Sequence, residues 1–139
     1  MKKQILYFVL IPILQSFFSL AYAGEVGKGV LLVRYGAANT DINYEKEDGY
    51  PNTLSGISVL CRPGITANTK ANFDLLVRSD TNRPATLTQG GAALSTIVIN
   101  FGAKVVTDPL PGSPNHCLIN GIKLSQVKGA WAFPLYTIP

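Results

Sequence analysis

Beyond residue 23, no stretch of the chain keeps apolar residues at helical spacing for three turns. Short apolar or alternating runs are separated instead by turn signals, a pattern that predicts strands. The first run is Val26 to Tyr35, followed by a polar region from Gly36 to Asn52. Leu54 to Cys61 is the next strand, with Ile57, Val59 and Cys61 on one face. Arg62-Pro63-Gly64 turns the chain, and Phe73 to Arg78 alternates Phe73, Leu75 and Val77 against Asp74 and Arg78. Leu94 to Phe101 is rich in β-branched residues and ends at Gly102, so it reads as a strand with Lys104 to Val106 as its hairpin partner. Asp108 to Asn115 holds three prolines and a glycine and has no regular structure. Cys117 to Leu124, broken at Asn120-Gly121, is one bulged strand or a tight hairpin. Ala130 to Ile138 closes the chain. An all-β sandwich of about seven short strands fits these runs, with a small barrel as the alternative.

The stretch before residue 23 has a different pattern. Lys2 and Lys3 precede an apolar run from Ile5 to Leu20, and Ala21-Tyr22-Ala23 places small residues where signal peptidase reads. Pro12, Gln15 and Ser16 interrupt the run and no positive cluster follows it, which argues against a membrane anchor. The expected product is exported and starts at Gly24. That leaves 116 of the 139 residues, enough for one β domain, 24–139, after a signal peptide, 1–23. No transmembrane segment is expected after cleavage.

Composition changes the picture in two ways. Losing Lys2 and Lys3 lowers the formal charge from +4 to +2, which leaves no basic stripe for nucleic acid. The chain has only two cysteines, Cys61 and Cys117, and in an exported protein an even pair reads as a disulfide rather than as free thiols. In the chain-entropy view such a bridge contributes roughly 4 kcal/mol.

The residues that suggest chemistry each have a plainer reading. Glu45, Glu47 and Asp48 share a loop with Lys46 and lack the apolar setting that tunes an acid–base pair. His116 adjoins Cys117, yet neighbours on a strand point to opposite faces and an oxidised cysteine is no nucleophile. His116 is therefore expected to have no chemical role. Gly24, Gly27 and Gly29 lack the strand-to-helix context of a phosphate loop. Asp74, Asp80 and Asp108 lack calcium-loop spacing. Trp131, with Phe133 and Tyr136, offers a possible platform for stacking a sugar, or simply core. No metal, cofactor or catalytic motif is expected, and the chain is read as a non-enzyme.

Tyr35-Gly36, the polar loop after it, and Leu54-Ser55-Gly56-Ile57-Ser58-Val59-Leu60-Cys61 together resemble the spore coat protein U-like family of archaic chaperone–usher pilins. Asn72 to Val77 and Leu94 to Asn100 are similar to that family's next two strands. Leu135-Tyr136-Thr137-Ile138-Pro139 is similar to the segment that precedes its last strand. The family usually bonds the equivalent of Cys61 to an earlier cysteine, whereas here Cys117 is the only partner. The resemblance implies an incomplete immunoglobulin-like sandwich lacking its closing strand, in a structural or adhesive pilus subunit. It implies a periplasmic chaperone, an outer-membrane usher and other pilus subunits as partners, and a final place in a surface fimbria. Val26, Val30 and Leu32 then form the candidate donor strand for a neighbouring subunit. They serve equally as the domain's own first strand. The competing function is a freestanding periplasmic or secreted ligand-binding domain, for carbohydrate through Trp131, and an unrecognised hydrolase ranks behind both.

Overall fold

A computed structural model of the chain describes residues 24–36, 45–46, 53–123, 126, 130 and 135–139. The expected leader, Glu47, Asp48, Trp131 and Phe133 lie outside the described residues. Among the described residues ten strands appear in chain order: β1 (Glu25–Val26), β2 (Leu31–Tyr35), β3 (Glu45–Lys46), β4 (Thr53–Ser55), β5 (Ile57–Cys61), β6 (Gln89–Leu94), β7 (Lys104–Thr107), β8 (His116–Asn120), β9 (Ile122–Lys123) and β10 (Leu135–Thr137). Helices α1 (Lys70–Ser79) and α2 (Ser95–Asn100) join them. The fold is mostly β and sandwich-like. A seven-stranded antiparallel sheet runs β1-β7-β8-β5-β2-β6-β10, and a three-stranded sheet runs β3-β4-β9.

Strand alternation divides the core between the two faces of the large sheet. On one face Leu32, Ile57, Val59, Cys61, Val105, Cys117 and Ile119 pack with Leu54 and Ile122 of the small sheet and with Val98 of α2. On the other, Leu31, Val33, Leu60 and Ala92 pack beneath Phe73, Leu76 and Val77 of α1. The expected face of Ile57, Val59 and Cys61 is buried as read.

Two expected strands are helices instead. Phe73 to Arg78 lies in α1, which starts where the Thr69 hydroxyl accepts a hydrogen bond from the Asn72 amide at 3.2 Å. Phe73, Leu76 and Val77 are buried at helical spacing, while Leu75 points outward, 45% exposed. The alternation of Phe73, Leu75 and Val77 hid that stripe. A Lys70–Asp74 ion pair one turn apart supports the same helix. Leu94 to Phe101 mostly forms α2 because Ser95 is pinned. Its hydroxyl accepts from the Val30 amide at 3.0 Å and donates to the Gly27 carbonyl at 2.8 Å, and its own amide donates to the Val30 carbonyl at 2.7 Å. These tertiary bonds outweigh a β preference worth about 1 kcal/mol at most.

The strand in this region is β6, built from Gln89-Gly90-Gly91-Ala92-Ala93-Leu94. Glycine is needed at position 90. A Cβ on Gly90 would lie 2.8 Å from the Arg34 carbonyl oxygen and 3.1 Å from the Phe73 ring. Lys104–Thr107 pairs with β1 and β8 rather than with the Leu94 region.

Val26 to Tyr35 is two strands separated by a turn at Gly29, whose φ is +82°. The break at Gly121 makes neither a bulge nor a hairpin. Gly56 and Gly121, with φ of +72° and +78°, sit side by side where two paired strands leave the large sheet for the small one. The Gly121 amide donates to the Leu54 carbonyl and the Gly56 amide to the Asn120 side chain, so the bend keeps its hydrogen bonds.

Candidate functional site

The β7–β8 hairpin closes around Asp108 to Asn115, the proline-rich loop. Leu110 and Ser113 exchange backbone hydrogen bonds across its tip, at 3.0 and 2.9 Å. Thr81 and Asn82, just past α1, bond to Gly112 and Pro111 and dock the loop against the helix end. Gly112 is required at that contact, because a Cβ there would meet the Thr81 hydroxyl at 2.6 Å. At the hairpin's mouth the Asp108 amide donates to the His116 carbonyl at 2.8 Å.

This closure sets Asp108 against the imidazole. His116 Nδ1 lies 3.0 Å from the Asp108 carbonyl oxygen and 3.1 Å from its carboxylate Oδ2. Both are acceptors, so Nδ1 carries the proton of the neutral ring. Nε2 is then an acceptor, and it faces Ser58 Oγ at 3.0 Å. The pairing of β5 with β8 makes this contact. Ser58 is opposite Leu118 and Leu60 is opposite His116, so serine and histidine are diagonal neighbours on the α1 face of the sheet. Ser58 is exposed, and the Arg34 guanidinium donates to its carbonyl oxygen at 3.2 Å.

Beside the pair lies a cavity of about 60 Å³ lined by Val33, Tyr35, Leu60 and Asp80 as well as Ser58 and His116. Asp80 caps the end of α1 and is almost fully buried. It accepts from the Tyr35 hydroxyl at 2.5 Å and from the Asn82 amide at 3.0 Å. Burial, and then the Asp80 hydrogen bond and charge, hold the Tyr35 phenol well above its ordinary value. The folded chain therefore keeps this proton at pH values where the unfolded chain loses it. Stability from this group is intact below about pH 10, the ordinary phenol value, and falls as pH rises further. Denaturant midpoints should decline across that alkaline range, and Tyr35→Phe should flatten the decline. An equally steep decline in the variant would show that another group titrates there.

A larger open cleft of about 670 Å³ runs from the end of α1 past the Thr81–Thr88 segment to the residues after β10, and carries Arg78, Arg83, Asp80, Thr88 and Thr137. No sequence motif marks it. Its size is within the usual range for small-ligand sites.

The other expected residues are placed as follows. Cys61 and Cys117 form a disulfide between β5 and β8, with Cα atoms 5.8 Å apart and both residues in the core. Val26, Val30 and Leu32 are buried in this chain's own core. Trp131 lies outside the described residues, but Tyr136 packs against Phe73, ring centroids 5.1 Å apart, and donates to Asn68. Asp74 pairs with Lys70, Asp80 with Tyr35, and Asp108 with His116, so the three scattered aspartates do separate work. The sequence assigns His116 no chemical role; its contacts with Ser58 and Asp108 come from the register of β5 on β8 and from the loop closure. Among the described residues no cluster could hold a metal ion, and no helix is long and apolar enough to cross a membrane. Comparison with known proteins adds no relative: no protein-family model, curated protein or solved structure matches the chain.

Proposed function

We propose that the chain is an exported, disulfide-stapled domain that folds by itself and works as a freestanding binding domain. The observation that carries this reading is the place of the candidate donor residues. Leu32 lies in β2, hydrogen-bonded between β5 and β6 of its own sheet, and Val26, Val30 and Leu32 are all buried there. A segment used in this way is not available to a neighbour. The disulfide supports an oxidising destination, and the leader pattern of Met1 to Ala23 supplies the route. The binding surface in this reading is the larger cleft, where Arg78 and Arg83 favour a ligand carrying both hydroxyls and a carboxylate, an acidic sugar.

Assembly into a pilus is the second reading. It draws on the family resemblance and on β10, which pairs with β6 alone among the described strands and so offers a backbone edge. The two readings separate on the purified exported chain. The freestanding domain should sediment as a monomer, melt in one cooperative transition without any chaperone, and bind acidic in preference to neutral glycans on an array. Aggregation relieved only by a co-expressed periplasmic chaperone would overturn it in favour of the pilus. A stable monomer that binds acidic and neutral glycans equally would remove the ligand assignment.

A further inference from the structure

We propose that Ser58, His116 and Asp108 form a nucleophile–base–orienter set that hydrolyses small carboxylic esters. The inference goes beyond ligand binding and uses a different part of the surface from the arginine-bearing cleft. The geometric requirement is a hydroxyl within hydrogen-bond reach of a base that a third group orients. Both contacts are met: 3.0 Å from Ser58 Oγ to His116 Nε2, and 3.1 Å from Nδ1 to the Asp108 carboxylate. The Asp108 carbonyl, at 3.0 Å from the same nitrogen, holds the tautomer a second time. The lone pair on Nε2 is thus directed at the serine proton before any substrate arrives.

A structural serine–histidine contact needs neither exposure nor an adjoining cavity, and this pair has both. Ser58 is exposed, while the imidazole is mostly covered, 13% of its side chain being accessible. The cavity of about 60 Å³ at its side has Val33 and Leu60 as apolar walls and Tyr35 opposite. That space fits a short acyl group and gives a longer chain no further cover. The Arg34 guanidinium donates to the Ser58 backbone carbonyl and so ties β2 to the strand that carries the nucleophile.

The reaction balances with water as the only co-reactant. Ser58 Oγ attacks the acyl carbon as its proton passes to His116 Nε2, and the carbonyl pair moves onto oxygen. Collapse of that adduct breaks the bond to the alcohol oxygen, which takes the proton from Nε2 and leaves an acyl-serine. Water then gives its proton to Nε2 and attacks the acyl carbon. Release of the acid returns the proton to Ser58 Oγ.

The test uses the protein exported from its full-length gene, with the disulfide intact. A fluorophosphonate probe should label one site, mapped to Ser58 by peptide mass spectrometry, and p-nitrophenyl acetate should turn over faster than the octanoate ester. Ser58→Ala should abolish labelling, and His116→Ala should slow it by about a thousandfold. Asp108→Asn should slow it by roughly tenfold, less than in other such sets, because its carbonyl still holds the ring. Each variant is compared with the parent by circular dichroism and thermal midpoint, and the exposed position of Ser58 makes its truncation safe for the fold. Absence of Ser58 labelling in folded parent protein would overturn the proposal, as would ester turnover that survives Ser58→Ala. Equal or faster turnover of the octanoate would overturn the role of the small cavity. None of these readouts depends on whether the chain acts alone or in a fibre.

Discussion

Replacing Leu32 by Asp should leave no folded protein to purify. Leu32 is fully buried, pairs with Ala93 of β6 and Cys61 of β5, and packs among Val26, Val30, Ile57 and Val98. Truncating a leucine in such a place costs about 2–5 kcal/mol. Burying an uncompensated carboxylate adds several more, because the residues around it are apolar. Together these approach the whole stability of an ordinary domain, roughly 5–15 kcal/mol. The loss should appear as insoluble or degraded chain, while Leu32→Val should fold with a penalty of about 1 kcal/mol. A donor strand behaves differently. The substitution would then spare the fold of the isolated subunit and block only its insertion into a neighbour. Recovery of a soluble, cooperatively folded L32D variant would return the segment to that role.

The legible and illegible parts of the sequence differ in range. Ile57, Val59 and Cys61 were readable because a strand with one buried face repeats every second residue, and that face does form the core. The two cysteines were readable because an even pair in an exported chain has few other uses. Phe73, Leu75 and Val77 misled because Phe73, Leu76 and Val77 fit a helix as well, and the decision lay with the Thr69 cap and the sheet beneath. At Leu94 to Phe101 the β-branched residues favoured a strand, but Ser95 is bound to the turn before β2, 65 positions earlier in the chain. Gln89-Gly90-Gly91 offers no alternating apolar pattern, and the need for glycine at position 90 appears only once Phe73 and the Arg34 carbonyl lie against it.

The candidate site was hidden for the same reason. Ser58 and His116 are 58 positions apart, and nothing in either segment sets the register of β5 on β8. His116 could be weighed locally only against Cys117, which points into the opposite face. Its other partner, Asp108, is brought back by a loop whose prolines signal irregularity but not closure. Chemistry assembled from non-local strand pairs leaves no motif to read.

Losing the disulfide should cost about 4 kcal/mol without changing the fold. Cys61 and Cys117 are 56 positions apart, so the bridge restricts a large share of the unfolded chain while both ends already sit in adjacent strands. Replacing both by Ala should lower the thermal midpoint by roughly 15 °C, given the unfolding entropy of a domain of this size. Dithiothreitol should bring the parent down to a similar midpoint and leave the double variant unmoved. That contrast separates the cross-link from the packing of two buried residues, because reduction keeps both sulfurs in the core. A parent insensitive to reductant under denaturing titration, with its thiols shown to be free, would mean that the unfolded chain gains little freedom when the loop opens. The β5–β8 ladder also carries Ser58, toward the Gly56–Gly121 bend, and His116, beside Cys117 at the loop mouth. With native hydrogen bonds intact below the midpoint, fluorophosphonate labelling of Ser58 should persist in the reduced protein at low temperature and vanish with the unfolding transition. Loss of labelling on reduction alone, well below that transition, would show that the staple sets the register of the ladder as well as its stability.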